Sequence, residues 1–83
     1  MDNKIYSYKS PAGMFVIKYN MSLKRWDLGM GNEVYGNYHS AEQAADDVYC
    51  HSTGCNKWDM LDGKLNNVPS HLAEWEFVNL FHG

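Results

Sequence analysis

The chain has 83 residues, of which 45% are hydrophobic and 14% aromatic, and its formal net charge is −3. This length and aromatic content favour one small folded domain, residues 1–83, and exclude a disordered chain. Neither a run of ~18 apolar residues nor a leader peptide is apparent, so we expect no membrane association and a cytoplasmic protein with two reduced cysteines.

The charges are unevenly distributed along the chain. Residues 1–41 contain five cationic side chains against three acidic ones, whereas residues 42–83 contain two against seven. The first half is therefore mildly basic and the second half acidic, and such an asymmetry influences the choice of partner.

The first half of the chain has the composition of a β-meander. KIYSYK and MFVIKYN are rich in β-branched and aromatic residues, and they flank SPAG, a typical turn sequence. With further turns at NMSL and GMGNE, the pattern predicts four antiparallel strands at about residues 4–9, 14–20, 24–29 and 33–38. These turns imply three pairs of opposite residues: Lys9 and Met14, Trp26 and Ile17, Leu28 and Val34.

Alternation along these strands separates two faces of the predicted sheet. The inner face collects the larger apolar side chains and is the predicted core face: Tyr6, Tyr8, Phe15, Ile17, Trp26, Leu28, Val34 and Tyr38. The outer face is mixed: Ile5, Lys9, Met14, Val16, Lys18, Arg25, Asp27 and Tyr35. Contiguous exposed apolar area marks an interface, unless the final segment, through Trp75 and Phe81, covers this face.

The period of the apolar residues then changes to that of a helix. Small apolar residues recur at helical spacing, which predicts a helix at about 41–53 lying close to the sheet: Ala41, Ala44, Ala45 and Val48. Ser40 is the predicted N-cap, and Gln43 completes a capping box. Glu42, Asp46 and Asp47 are predicted to form an acidic face towards solvent.

The helix is followed by CHSTGC, in which two cysteines and a histidine lie within six residues. Gly54 fits the left-handed residue that ends a helix, and in such a Schellman ending Cys50 and Cys55 would make an apolar contact. The alternative is a zinc or thiol site at Cys50 and Cys55, with further ligands from the four histidines: His39, His51, His71 and His82.

The last third of the chain is predicted to contain a helical turn at 57–62 and a C-terminal helix at 71–81, capped by Ser70. Alternation of apolar residues from Trp75 to Phe81 would also suit a strand. The predicted fold class is therefore α+β: a four-stranded antiparallel meander packed on one helix, followed by these two shorter elements.

Catalytic patterns are weak. Asp47 and His51 are neighbours on the predicted helix, but a surface pair explains them, and no nucleophile accompanies them. The glycines match no phosphate-binding loop. We therefore predict no enzyme activity, no cofactor, and no metal or catalytic residues.

The junction GNYHSAEQAA, Gly36 to Ala45, resembles the strand-to-helix junction of AP2-type and integrase-arm DNA-binding domains. The resemblance covers about ten residues. It implies that the outer sheet face binds nucleic acid through Lys9, Lys18, Arg25 and Tyr35. Those families are usually basic, whereas this chain is acidic overall, and few cations give little counterion release.

These patterns favour a non-enzymatic domain that binds another protein. The candidate partner surface is Lys9, Met14, Val16, Lys18, Arg25 and Tyr35, and the second candidate is the acidic face of Glu42, Asp46 and Asp47. In size and charge alone, the chain resembles bacterial or phage accessory and inhibitor proteins, which is the role we expect. Nucleic-acid binding, a homodimer contact and the thiol site are the alternatives.

Overall fold

The computed structural model describes residues 4–79. The elements follow in the order β1 (Lys4–Ser10), β2 (Gly13–Asn20), β3 (Arg25–Met30), β4 (Glu33–Tyr38), α1 (Ala41–Tyr49), α2 (Asn56–Asp59), a 3-10 helix (Leu72–Glu74) and β5 (Glu76–Asn79). The strands form one antiparallel sheet in the order β4-β3-β2-β1-β5. The predicted α+β class is confirmed, and the sheet gains a fifth strand.

The first hairpin has the predicted register, with Lys9 opposite Met14. Ser10 holds the turn because its hydroxyl oxygen accepts from the backbone N–H groups of Ala12 and Gly13, at 3.1 and 3.2 Å. The second hairpin is shifted by two residues, so that Ile17 lies opposite Leu28 rather than Trp26. Since a shift of two residues preserves the side-chain alternation, Trp26 and Leu28 stay on the predicted inner face.

The third hairpin contains a bulge that the sequence analysis did not predict. Leu28 lies opposite Gly36, whereas Gly29 lies opposite Val34, so the register shifts between Leu28 and Gly29. The predicted pairing of Leu28 with Val34 is therefore wrong. A Cβ on residue 29 would lie 2.6 Å from the carbonyl oxygen of Glu33, so the glycine allows the close approach of the two strands at the bulge.

Helix α1 begins as predicted and ends earlier. The Ser40 hydroxyl accepts from the N–H of Gln43 at 3.1 Å, and all four predicted apolar residues of the helix are buried. The residue with a left-handed backbone conformation at the C-terminal end of α1 is His51, with φ 54°, rather than the predicted Gly54. The N–H groups of His51 and Ser52 bond to the carbonyls of Val48 and Asp47, which is the Schellman pattern, and Cys50 is the C-cap.

His51 occupies a conformation that favours glycine because its side chain is held in place. Its ring stacks on Trp58 with centroids 4.4 Å apart, and its Nδ1 lies 2.9 Å from the carbonyl oxygen of Trp58. Trp58 in turn is fully buried and donates its indole N–H to the carbonyl of Val48 at 2.9 Å. These contacts connect α2, which begins at Asn56 rather than residue 57, to the end of α1.

The predicted C-terminal helix at 71–81 is wrong. Residues 72–74 form one turn of 3-10 helix, and β5 then pairs with the free edge of β1, with Tyr6 opposite Phe77. Residues 80 and 81 of the prediction lie outside the described residues. Strand pairing satisfies the backbone groups of β1, and the alternation from Trp75 onward suits a strand better than a helical stripe.

The core lies between the inner face of the sheet and the helices. Its largest fully buried side chains come from β2, β3, α1 and α2: Phe15, Ile17, Leu28, Val48 and Trp58. Trp75 is also buried and lies 5.6 Å from Tyr8, ring centroid to centroid, on this inner face. None of the helices within residues 4–79 has the length and apolar character that crossing a bilayer would require.

Candidate protein interface

The outer face of the sheet has no element packed against it in the described part of the chain. The helices pack on the inner face, and β5 extends the edge of the sheet beside β1. Of the two side chains expected to cover the outer face, Trp75 lies on the inner face, and Phe81 is outside the described residues. The outer face is therefore open within residues 4–79.

Cross-strand pairing arranges the outer face in rows. One row runs Ile5, Lys18, Asp27 and Asn37; the next runs Ser7, Val16, Gly29 and Val34; Lys9 and Met14 follow. Met14 is 47% exposed and Val34 is 57% exposed, which places two large aliphatic side chains in solvent. Lys9 and Lys18 are exposed, and Arg25 is half-buried.

A hollow of about 340 Å³ lies on the β2–β3–β4 side of this face, beside the turn between β3 and β4. Gly29 leaves space between Val16 on one side and Val34 on the other, while Lys18 and Asp27 line one end. We call this feature the outer hollow. Its sides are aliphatic, and its charged lining residues are Lys18, Asp27 and Glu33.

Asp27 is the buried polar group of the outer face, with 8% of its surface exposed. One carboxylate oxygen accepts from the Asn20 amide at 3.0 Å, and the other accepts from the Asn37 amide. These bonds compensate for burial of a carboxylate. The sequence analysis missed this cluster because its members are brought together by the strand register, which was predicted two residues out.

Tyr35 does not belong to the outer face, so its assignment to the partner surface is wrong. The bulge turns it inward, where it packs on the core and forms a hydrogen bond with the Cys55 thiol. This bond, together with burial, raises the pKa of Tyr35 to about 12. The bulge moves Val34 to the outer face in exchange.

The predicted acidic face is divided by the structure. Glu42 and Asp46 are exposed, whereas Asp47 is half-buried and accepts from the Tyr38 hydroxyl at 2.8 Å. Burial, reinforced by this bond, raises the pKa of Tyr38. Asp47 therefore connects α1 to β4, and the exposed acidic pair is Glu42 and Asp46.

The two cysteines occupy different environments. Cys50 is exposed at the end of α1, and Cys55 is buried in the core beside Tyr35. Within residues 4–79, no three histidine, cysteine, aspartate or glutamate side chains come together in a way that could hold a metal ion.

Valine and charged side chains thus surround a hollow on a sheet face that no element of residues 4–79 covers. Comparison of the chain with protein-family models, with curated proteins and with solved structures finds no match.

Proposed function

We propose that this chain is a non-enzymatic interaction domain that binds another protein through the outer sheet face. The observation that carries the proposal is the outer face, open within residues 4–79, on which Met14 and Val34 are exposed and Val16 and Val34 line the outer hollow. Exposed apolar area of this kind is costly in water unless a partner covers it.

The outer face carries charges of both signs. Lys9 and Lys18 are exposed on it, Asp27 is already bonded to two amides, and two exposed carboxylates lie at the hollow (Glu33) and opposite Ser7 (Glu76). We infer a partner that inserts an aliphatic side chain into the outer hollow and places carboxylates opposite the lysines. Such complementarity governs the association rate and specificity more than affinity.

The size of the face indicates a transient complex. Five strands about 4.8 Å apart, with about six residues each, give a face of roughly 20 by 20 Å, or about 400 Å². This area is about half of the ~800 Å² that a standard specific interface buries on each partner. An accessory or inhibitor protein of the cytoplasm that binds a larger assembly would have these properties.

The test is affinity capture from the source cell with the wild-type chain and two variants. Val34→Glu places a charge beside the outer hollow, while Met60→Glu makes the same change at a residue 70% exposed on α2's C-cap, away from the outer face. We expect a specific protein to be retained by the wild type and by Met60→Glu and to be lost with Val34→Glu.

The proposal fails if no protein is specifically retained, or if Val34→Glu retains the same protein as the wild type. A gel-shift assay at low salt tests nucleic-acid binding by the same face, and light scattering tests self-association. If the chain retains nucleic acid and Lys18→Glu abolishes that retention, nucleic acid replaces protein as the proposed ligand of the outer face. If the chain forms a dimer that Val34→Glu dissociates, a second copy of the chain replaces it.

A further inference from the structure

A second, larger groove lies on the opposite side of the molecule from the outer face. It has a volume of about 620 Å³, lies between α1 and residues 70–73, and has Tyr6 of the inner sheet face at its base. The helix side contributes Glu42, Gln43, Ala45 and Asp46, and the other side contributes Ser70, His71, Leu72 and Ala73. We call it the helix groove; the proposed function makes no use of it.

The base of the helix groove continues into a row of aromatic rings. The Tyr6 ring centroid lies 5.4 Å from that of Phe77 and 6.2 Å from that of Trp26. Trp26 in turn lies 5.3 Å from Tyr19. These four rings, which we call the aromatic row, come from β5, β1, β3 and β2.

The aromatic row is accessible rather than sealed in the core. Phe77 is 50% exposed, and the other three rings are half-buried. One of the rings already faces a cation, since the Lys4 ammonium lies 5.9 Å from the Phe77 centroid. Accessible ring faces in a contiguous row provide a surface on which flat or ridged apolar groups pack.

The helix groove is negatively charged on its α1 side. Glu42 and Asp46 are four residues apart, so they lie on the same face of the helix, and both are exposed. Neither carboxylate pairs with a cation among residues 4–79. Like charges at this spacing repel each other slightly, and a cationic ligand would relieve that repulsion.

We propose that the helix groove and the aromatic row bind a basic, proline-containing peptide segment of another protein. An arginine guanidinium lies on the Tyr6 ring within reach of Glu42 and Asp46, because its planar fork both stacks on aromatic rings and pairs with carboxylates. Prolines pack along the aromatic row, since a polyproline helix is preformed and docks in aromatic-lined grooves without needing a sheet edge.

The dimensions and charge of the site agree with this ligand. A volume of 620 Å³ lies within the ~300–1,000 Å³ that is typical of ligand-binding clefts. An acidic peptide would be repelled by Glu42 and Asp46. The chain would then carry two separate surfaces, the outer face for one protein partner and this one for a basic peptide.

The probe is a short, fluorescently labelled synthetic peptide of arginine and proline, titrated against the whole chain by fluorescence anisotropy. We expect saturable binding that weakens roughly tenfold in the double variant Glu42→Gln, Asp46→Asn, which removes two charge pairs. Both positions are exposed, so the variant should fold, and urea unfolding checks this. The matched control is Asp62→Asn, an exposed acidic residue that does not line the groove.

Three further measurements separate this site from a simple acidic surface. Phe77→Leu should weaken peptide binding because it shortens the aromatic row. A peptide with alanine in place of proline should bind the wild type more weakly. A peptide with glutamate in place of arginine should not bind. Amide chemical shifts should change at Tyr6, Glu42 and Leu72 and stay constant at Val16 and Val34.

The proposal is overturned if the wild type does not bind the probe, if the double variant binds it as tightly as the wild type, or if the alanine peptide binds equally well. Val34→Glu should leave peptide binding unchanged, so loss of the outer-face partner and loss of peptide binding are distinguishable failures.

Discussion

The Asp59 carboxylate is the side chain whose removal we expect to destabilise the chain most for its size. It accepts from the Thr53 N–H at 3.0 Å, the Thr53 hydroxyl at 2.8 Å and the Gly54 N–H at 2.8 Å. Thr53 is 4% exposed, so in Asp59→Ala its N–H would be left unpaired away from water. These bonds hold the loop between α1 and α2 and thereby position Trp58 in the core.

The expected loss of stability depends on how deeply each donor to the Asp59 carboxylate is buried. Leaving a buried donor such as the Thr53 N–H unpaired costs about 1–3 kcal/mol. Loss of the charge-assisted bond from the Gly54 N–H costs less, because Gly54 is exposed and water can replace the carboxylate. We expect Asp59→Ala to lower the free energy of unfolding by about 2–4 kcal/mol. A chain of this length has a total of about 4–12 kcal/mol, so the loss is a large fraction of its stability.

The assay is urea unfolding at neutral pH, followed by tryptophan fluorescence and far-ultraviolet circular dichroism. Asp59→Asn keeps one acceptor oxygen and should show an intermediate loss. Asp62→Ala is the matched control, because Asp62 is exposed and accepts no side-chain hydrogen bond in the described structure. If Asp59→Ala unfolds within ~0.5 kcal/mol of the wild type, the reasoning is refuted, since that is the range of ordinary surface substitutions.

Two further predictions concern the bulge and the buried tyrosines. Gly29→Ala should lower the free energy of unfolding by about 1–3 kcal/mol in the same assay, because its Cβ would lie 2.6 Å from the Glu33 carbonyl oxygen; an unchanged midpoint would show that the bulge relaxes freely. The pKa values of Tyr35 and Tyr38 are raised, whereas an unfolded chain ionises near pH 10. Stability should therefore fall as the pH rises from about 10 towards 12, and Tyr38→Phe should reduce that fall; an identical pH profile for both chains would contradict the assignment.

Much of the sheet could be predicted from local pattern. The turn at Ser10–Gly13 needs a serine and a glycine at its ends, and the structure has the predicted register there. The second hairpin was predicted two residues out, yet its faces were right, because side chains alternate with a period of two. The same periodicity explains why Val34 and Tyr35 were assigned to the wrong faces. The bulge at Gly29 adds one residue to β4, and a single extra residue exchanges the two side chains between the faces.

The C-terminal end of α1, in contrast, could not be predicted from local pattern. A glycine is the best local signal for a left-handed residue, and Gly54 does have φ 89°. Yet the left-handed residue that follows the C-cap of α1 is His51, because stacking on Trp58 and the bond to its carbonyl compensate for the strain of φ 54°. That compensation comes from a residue seven positions further along, which no local pattern reveals.

The sequence by itself determined the strand-rich first half, the two-sided character of the meander, and the capped, alanine-bearing helix, because each depends on neighbours within a few residues. Only the tertiary structure decided that residues Glu76–Asn79 pair with the edge of β1, that Tyr35 packs on the core, and that Tyr6 lines a groove beside Glu42 and Asp46. These outcomes depend on hydrogen bonds and ring contacts between residues that are distant in the sequence. Tertiary packing, rather than local propensity, determines which of those contacts form.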